Sequence, residues 1–162
     1  MMILYLIATV AVFVICFLAY RSKPEKYADL MGVSALLALV FCIGNAITVL
    51  YHFPDALLAS PVLDLFLVAM IFRSNQQNPE GWKYVLVGTL VGQLALHAVT
   101  IGLWKTGELS QHGLWTYVVA VNAIFIVQLL TLAAIGVGHG LDCLRGWLSD
   151  RRRVALAQDA GQ

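Results

Sequence analysis

Five long apolar runs, each set off from the next by a few polar, glycine or proline residues, give this chain its pattern. A helix needs about 20 predominantly apolar residues to cross roughly 30 Å of hydrocarbon. Five stretches fit that length: 2–20, 30–51, 56–72, 83–104 and 114–138. Lys83 stands at the edge of the fourth, and no other Lys or Arg lies in any of them. The third is the shortest and holds both Pro61 and Asp64. Turn-forming and interfacial residues separate the runs: Arg21-Ser22-Lys23-Pro24, His52-Phe53-Pro54-Asp55, Asn75 to Gly81, and Lys105-Thr106-Gly107. The pattern predicts an all-α bundle of five spans, a single membrane domain over 1–140, and a basic tail over 141–162.

Within the tail, Leu141, Leu144, Trp147 and Leu148 share a helical face, and Arg151-Arg152-Arg153 follows. This arrangement predicts a short amphipathic helix in the membrane interface, with Arg151, Arg152 and Arg153 on anionic lipid headgroups.

Composition excludes the alternatives to a membrane protein. Of 162 residues, 60% are hydrophobic and 12% charged. A soluble domain carries about 25% charged residues, and half that charge cannot cover a water-facing surface. The net charge of +1, with no broad basic face, excludes a nucleic-acid-binding chain. The three cysteines contain no CxxC pair. Cys16 and Cys42 therefore read as small hydrophobes rather than as a disulfide framework or zinc site.

Charge also sets sidedness. Lys and Arg collect on the cytoplasmic side of membrane proteins. With five spans, nine of the ten basic residues fall on one side and Lys105 alone on the other. That predicts an outside N-terminus, a cytoplasmic C-terminus and residence in the cytoplasmic (inner) membrane. Tyr20, Trp82, Tyr84 and Trp147 then lie at inner boundaries, and Tyr51, Trp104 and Trp115 at outer ones, where amphipathic rings settle. The N-terminus lacks the basic region of a cleaved signal, so the first run reads as a retained span.

Polar residues inside the runs carry the candidate chemistry. In the fourth, Gly88 and Gly92 form a GxxxG step suited to close helix packing. Gln93, His97, Thr100 and Trp104 recur at helical spacing on a neighbouring face. The second run offers Ser34, Ala38, Cys42 and Asn45 along one face, the third Asp64, and the fifth Asn122 and Gln128, which do not share one stripe. With each run centred in the bilayer, a rise of about 1.5 Å per residue puts Asp64 and Gln93 within roughly 2 Å of the midplane. Asn45, His97 and Asn122 lie about 5–7 Å toward the outside on the same reckoning. Four helices thus supply Asn45, Asp64, Gln93, His97 and Asn122 to one slab, which should face the bundle interior. Two readings stand. The cluster crosslinks helices by hydrogen bonds, or a paired Asp64–His97 binds a cation or relays a proton.

Other motifs are set aside. Gly136-Val137-Gly138-His139-Gly140 has no preceding strand to make a nucleotide loop and reads as a helix exit, with His139 interfacial. No two of the four histidines share a depth suited to haem. HExxH, GxSxG and P-loop patterns are absent, so no catalytic residue, metal or cofactor is expected.

The compact length, the near absence of extramembrane sequence, the outside N-terminus and the short tail with Asp150-Arg151-Arg152-Arg153 resemble the small multi-span proteins of bacteriophages, holins among them. The resemblance implies self-association in the cytoplasmic membrane and opening of that membrane so that a lysis enzyme escapes. Three functions are thus in view. A holin-like homo-oligomer would use Gly88, Gly92 and the polar stripe as contacts. A small proton-coupled transporter or solute-binding protein would use the buried cluster. An accessory subunit would dock its polar face on a larger membrane complex.

Overall fold

A computed structural model describes the backbone of residues 2–50 and 55–159, and side chains at 3–47, 50 and 57–141. It is all-α: α1 (Met2–Ser22), α2 (Pro24–Leu50), α3 (Asp55–Gln77), α4 (Gly81–Thr106) and α5 (Gln111–Asp159). Each of the five is long and apolar enough to cross a membrane, so by helix composition this is a multi-pass membrane protein. The outer surface agrees. Ile3, Leu4, Val62, Leu65, Val99 and Leu130 are all at least 60% exposed, as a lipid-facing wall requires.

The helices end where backbone chemistry ends them. Lys23 alone separates α1 from α2, and Pro24 opens α2 at a position where its missing N–H matters least. A kink follows at Tyr27, which has φ −112° and ψ 15°. Gly107 closes α4 in the left-handed conformation (φ 76°), its N–H donating to the Leu103 and Trp104 carbonyls. Pro61 sits inside α3, which runs through it unbroken.

Each helix packs against its sequence neighbours and α5 returns to α1, so the five close into a ring. The ring's two halves differ in content. Val12, Cys16 and Ala19 of α1 meet Leu30, Val33 and Leu37 of α2, Leu67 and Ile71 of α3, Leu86 and Leu90 of α4, and Leu129 and Leu132 of α5. That apolar core fills the half nearest the α1–α2 and α3–α4 turns. The interior of the opposite half mixes polar side chains with apolar ones.

Two expectations need correction. The helix exit expected over Gly136–Gly140 does not occur, because α5 continues to Asp159. An interior glycine costs only about 1 kcal/mol of helix propensity. Here Gly136 permits a contact: a Cβ on it would lie 2.6 Å from Ile15 Cγ2 of α1. The tail is therefore a continuation of α5 rather than a separate short helix. The second correction concerns α2. Its inward face runs through Leu30, Val33 and Leu37, whereas Cys42 points out of the bundle and is exposed.

Candidate functional site

One face of α4 sets up the site. Lys83, Leu86, Leu90, Gln93, His97 and Thr100 are all buried, an alternating three-and-four spacing that keeps a single stripe turned inward. Leu86 and Leu90 lie in the core half with Lys83 at its end, and Gln93, His97 and Thr100 lie in the other half. Above the core, α2, α3, α4 and α5 leave a cavity of about 230 Å³. Asn45, Asp64, Gln93, His97 and Asn122 all line it, together with Ser60, Tyr117 and Gln128. Phe41 and Phe125 stack at 4.8 Å between α2 and α5. Tyr5 of α1 meets Phe125 at 6.4 Å, and no α1 residue lines the cavity.

A hydrogen-bonded chain crosses this space. His97 Nε2 lies 2.8 Å from Asp64 Oδ2, and the Tyr117 hydroxyl lies 2.7 Å from His97 Nδ1. His97 is 1% exposed and Asp64 4%. With Asp64 ionised and the imidazole neutral, Nε2–H donates to the carboxylate and the Tyr117 O–H donates to Nδ1. If the chain takes up one proton, Nδ1–H donates to the Tyr117 oxygen instead, and the phenolic hydrogen is released toward the cavity. One added proton thus neutralises the site and changes what the cavity offers a guest. Lower down, Gln128 Nε2 donates to Gln93 Oε1 at 3.4 Å. Asn45 Nδ2 donates to the Phe41 carbonyl of its own helix at 2.7 Å, which leaves its oxygen as an acceptor.

Size and charge limit what fits. Drug-sized sites run about 300–1,000 Å³, so this cavity suits a small guest. Among the described residues, Asp64 is the lining side chain that carries a formal charge when the imidazole is neutral, and no described Lys or Arg lines the cavity. An anion would meet the Asp64 carboxylate with no described cation in the lining to offset it. A small cation or neutral polar molecule would find amide oxygens, amide nitrogens and hydroxyls.

No protein family, characterised protein or solved structure is similar to this chain.

Ser60, Tyr117 and Gln128 are the polar cavity residues outside the slab of Asn45, Asp64, Gln93, His97 and Asn122. Tyr117, Val121, Phe125 and Gln128 fall at i, i+4, i+8 and i+11 and all line the cavity, so helical spacing on α5 was the signal available. Asn122 lies one position beside that stripe and reaches the cavity from its edge.

Gly88 and Gly92 do not pack against another helix of this chain: both are exposed, and a Cβ on either meets nothing within 4 Å. The inward stripe of α4 passes them by, so the close approach between helices occurs at Gly136 instead. Arg151, Arg152 and Arg153 lie outside the described side chains, as does His52. Among the described residues, no group of three or more His, Cys, Asp or Glu side chains could hold a metal ion.

At the core end, a second polar network was not anticipated. Lys83 is completely buried, yet its ammonium reaches Asp29 Oδ2 at 2.5 Å, the Asn78 carbonyl at 2.8 Å and Glu80 Oε2 at 3.5 Å. Trp82 Nε1 donates to the same Glu80 oxygen at 2.8 Å. These contacts tie α2 to the α3–α4 turn. Nearby, His139 of α5 is buried between Ser22, to which Nε2 hydrogen-bonds, and the Tyr27 ring, 4.4 Å away between centroids.

Proposed function

We propose that this protein binds a small cation or neutral polar solute in the ring's cavity and couples that binding to a proton carried by Asp64, His97 and Tyr117. The reading assigns it no catalytic step. The observation that carries it is the chain of 2.8 and 2.7 Å contacts, which joins the carboxylate to a cavity-facing hydroxyl through both imidazole nitrogens. A purely structural crosslink needs only two partners, and Asn would serve for it. Three titratable groups in series, beside a space large enough for a guest, fit proton-linked binding better.

In this reading the cavity half faces outside, the N-terminus is outside, the C-terminus is cytoplasmic, and the protein sits in the cytoplasmic membrane. The charge bias supports that sidedness. The test is reconstitution into vesicles with a trapped pH-sensitive dye and an imposed pH gradient. Small monovalent cations and small neutral polar solutes are then added in turn. At least one should discharge the gradient with wild-type protein and leave it intact with Asp64→Asn. No solute-dependent discharge, or equal discharge by the variant, would overturn the reading.

A holin-like reading has one observation in its favour: the exposed Gly88–Gly92 step leaves a flat strip on the outer surface of α4 for a second copy. The polar stripe no longer serves it, since Gln93, His97 and Thr100 are turned inward. An accessory subunit loses the same docking face. Induced expression with a membrane-potential dye separates these readings. Abrupt depolarisation after a delay supports permeabilisation, and sustained growth supports the solute site.

A further inference from the structure

A second recess lies on the outside of the ring, between the C-terminal half of α1 and the part of α5 beside it. Its volume is about 410 Å³, and it is bounded by Ile15, Leu18 and Ser22 on one side and Gly136, Gly140 and Leu141 on the other. Two glycines explain its shape. At Gly136 the helices touch, with no room for a Cβ beside Ile15. One turn later, a methyl group added at Gly140 would meet nothing within 4 Å. The groove is therefore closed at one end by packing and open along Gly140. From Ile15 to Ser22 it runs about 10 Å along the helix axis.

The open end is basic. Ser22 lies between Arg21 and Lys23, both exposed, and Lys26 follows one turn into α2 with its ammonium 5.3 Å from the centre of the Tyr27 ring. That ring packs at a tilt against His139, which borders the groove. Glu25, the one acidic side chain between Arg21 and Lys26, offsets only part of this charge. Carbon lines most of the groove, and three exposed cations, Arg21, Lys23 and Lys26, lie within four residues of Ser22 along the chain.

We propose that the groove is a site for one anionic phospholipid, with an acyl chain laid over Gly140 and the phosphate held by Arg21 and Lys23. An apolar recess in a membrane fills with lipid in any case, so the chain gains packing rather than burial from water. Selectivity comes from the headgroup, where each basic residue near an anionic surface contributes roughly 1 kcal/mol, about fivefold in affinity. This site is independent of the cavity inside the ring.

The test uses the full-length protein, purified in mild detergent after exposure to vesicles of equal parts phosphatidylglycerol and phosphatidylcholine, with retained lipid counted by native mass spectrometry. Wild type should retain about one lipid per chain, with phosphatidylglycerol favoured at least fivefold. Gly140→Leu fills the groove and should remove that lipid, whereas Gly92→Leu, on an equally open outer face, should not. The double variant R21Q/K23Q changes only exposed positions and should abolish the headgroup preference even if Gly140→Leu proves unstable. Equal retention of the two lipids by wild type would overturn the proposal, as would an unchanged preference in R21Q/K23Q. Crosslinks from α1 of one copy to α5 of another, with no lipid retained, would overturn it in favour of a dimer contact.

Discussion

His97 and Asp64, 33 residues apart on α4 and α3, meet at 2.8 Å inside a cavity that four helices build and the fifth does not reach. The pairing depends on two local facts. The alternating three-and-four stripe of α4 turns His97 inward one turn above Gln93. Helix α3 runs unbroken through Pro61, so Asp64 stays on the buried side with Leu57, Leu67 and Ile71. Tyr117 completes the chain on the far side of the imidazole, and under the proposed function the proton state of the pair would reach the cavity through its hydroxyl.

Asp64→Asn should therefore separate stability from function. The amide keeps the size of the side chain and can still hydrogen-bond to Nε2, so the cost should stay within the roughly 0.6–2 kcal/mol typical of interhelical hydrogen bonds in membranes. Proton-linked uptake should fall at least tenfold, because the site no longer carries a negative charge for a proton or cation to neutralise. Unfolding in detergent followed by tryptophan fluorescence checks the first half, and the vesicle assay checks the second. A variant that unfolds and loses uptake together would favour the structural crosslink instead.

Tyr117→Phe tests the link from the imidazole to the cavity. It removes one hydroxyl and leaves the ring, 5.6 Å between centroids from His97, in place. Losing one such hydrogen bond costs about 1 kcal/mol. Solute affinity should nevertheless drop by more than that figure implies, and its dependence on pH should flatten, since the phenol no longer converts a proton into a donor. Affinity measured across pH 5–8 gives the result, and an unshifted profile would place Tyr117 outside the coupling.

How much of this was legible in the chain follows from which signals are local. Spans of 17 residues or more with almost no charge are visible without any knowledge of packing, and so is the depth of a polar residue within its span. That is why Asn45, Asp64, Gln93, His97 and Asn122 could be grouped by depth alone. Facing is harder, because in lipid both sides of a helix are apolar and hydropathy does not mark the inner one. Cys42 and the Gly88–Gly92 step therefore look like interface residues in the sequence, yet the fold leaves both exposed. Lys83 is the opposite case. Read as a marker of sidedness at a span's edge, it is completely buried, because Asp29 on α2 and the Asn78 carbonyl lie within reach of its ammonium.

The contact between Gly136 and Ile15 should behave as a paired constraint. Gly136→Ala puts a methyl group 2.6 Å from Ile15 Cγ2 and should destabilise the α1–α5 interface by about 1–3 kcal/mol. Ile15→Val keeps Cγ2 and should not relieve the clash, whereas Ile15→Ala removes it. The double variant Gly136→Ala with Ile15→Ala should recover most of the loss, measured as a thermal midpoint in detergent. Additive losses would mean that the two helices do not touch there.

The Asp29–Lys83 pair should respond unequally to loss of either partner. Asp29 is about 35% exposed on its side chain and Lys83 is not exposed at all. Lys83→Met removes the buried charge and leaves a carboxylate that water can reach, so its cost should stay near 1 kcal/mol, the upper range for a partly exposed pair. Asp29→Asn removes the short ion pair and leaves a buried ammonium with the Asn78 carbonyl, the new amide oxygen, the Trp82 ring and Glu80 at 3.5 Å as its nearest carboxylate. An ammonium stranded in that way costs about 3–5 kcal/mol in a fully buried pair, and somewhat less here because Glu80 remains. Asp29→Asn should thus lower the thermal midpoint more than Lys83→Met, and Asp29→Asn combined with Lys83→Met should be more stable than Asp29→Asn alone. The reverse order would mean that Lys83 does not sit sealed beneath the α3–α4 turn, and that the core end of the ring admits water.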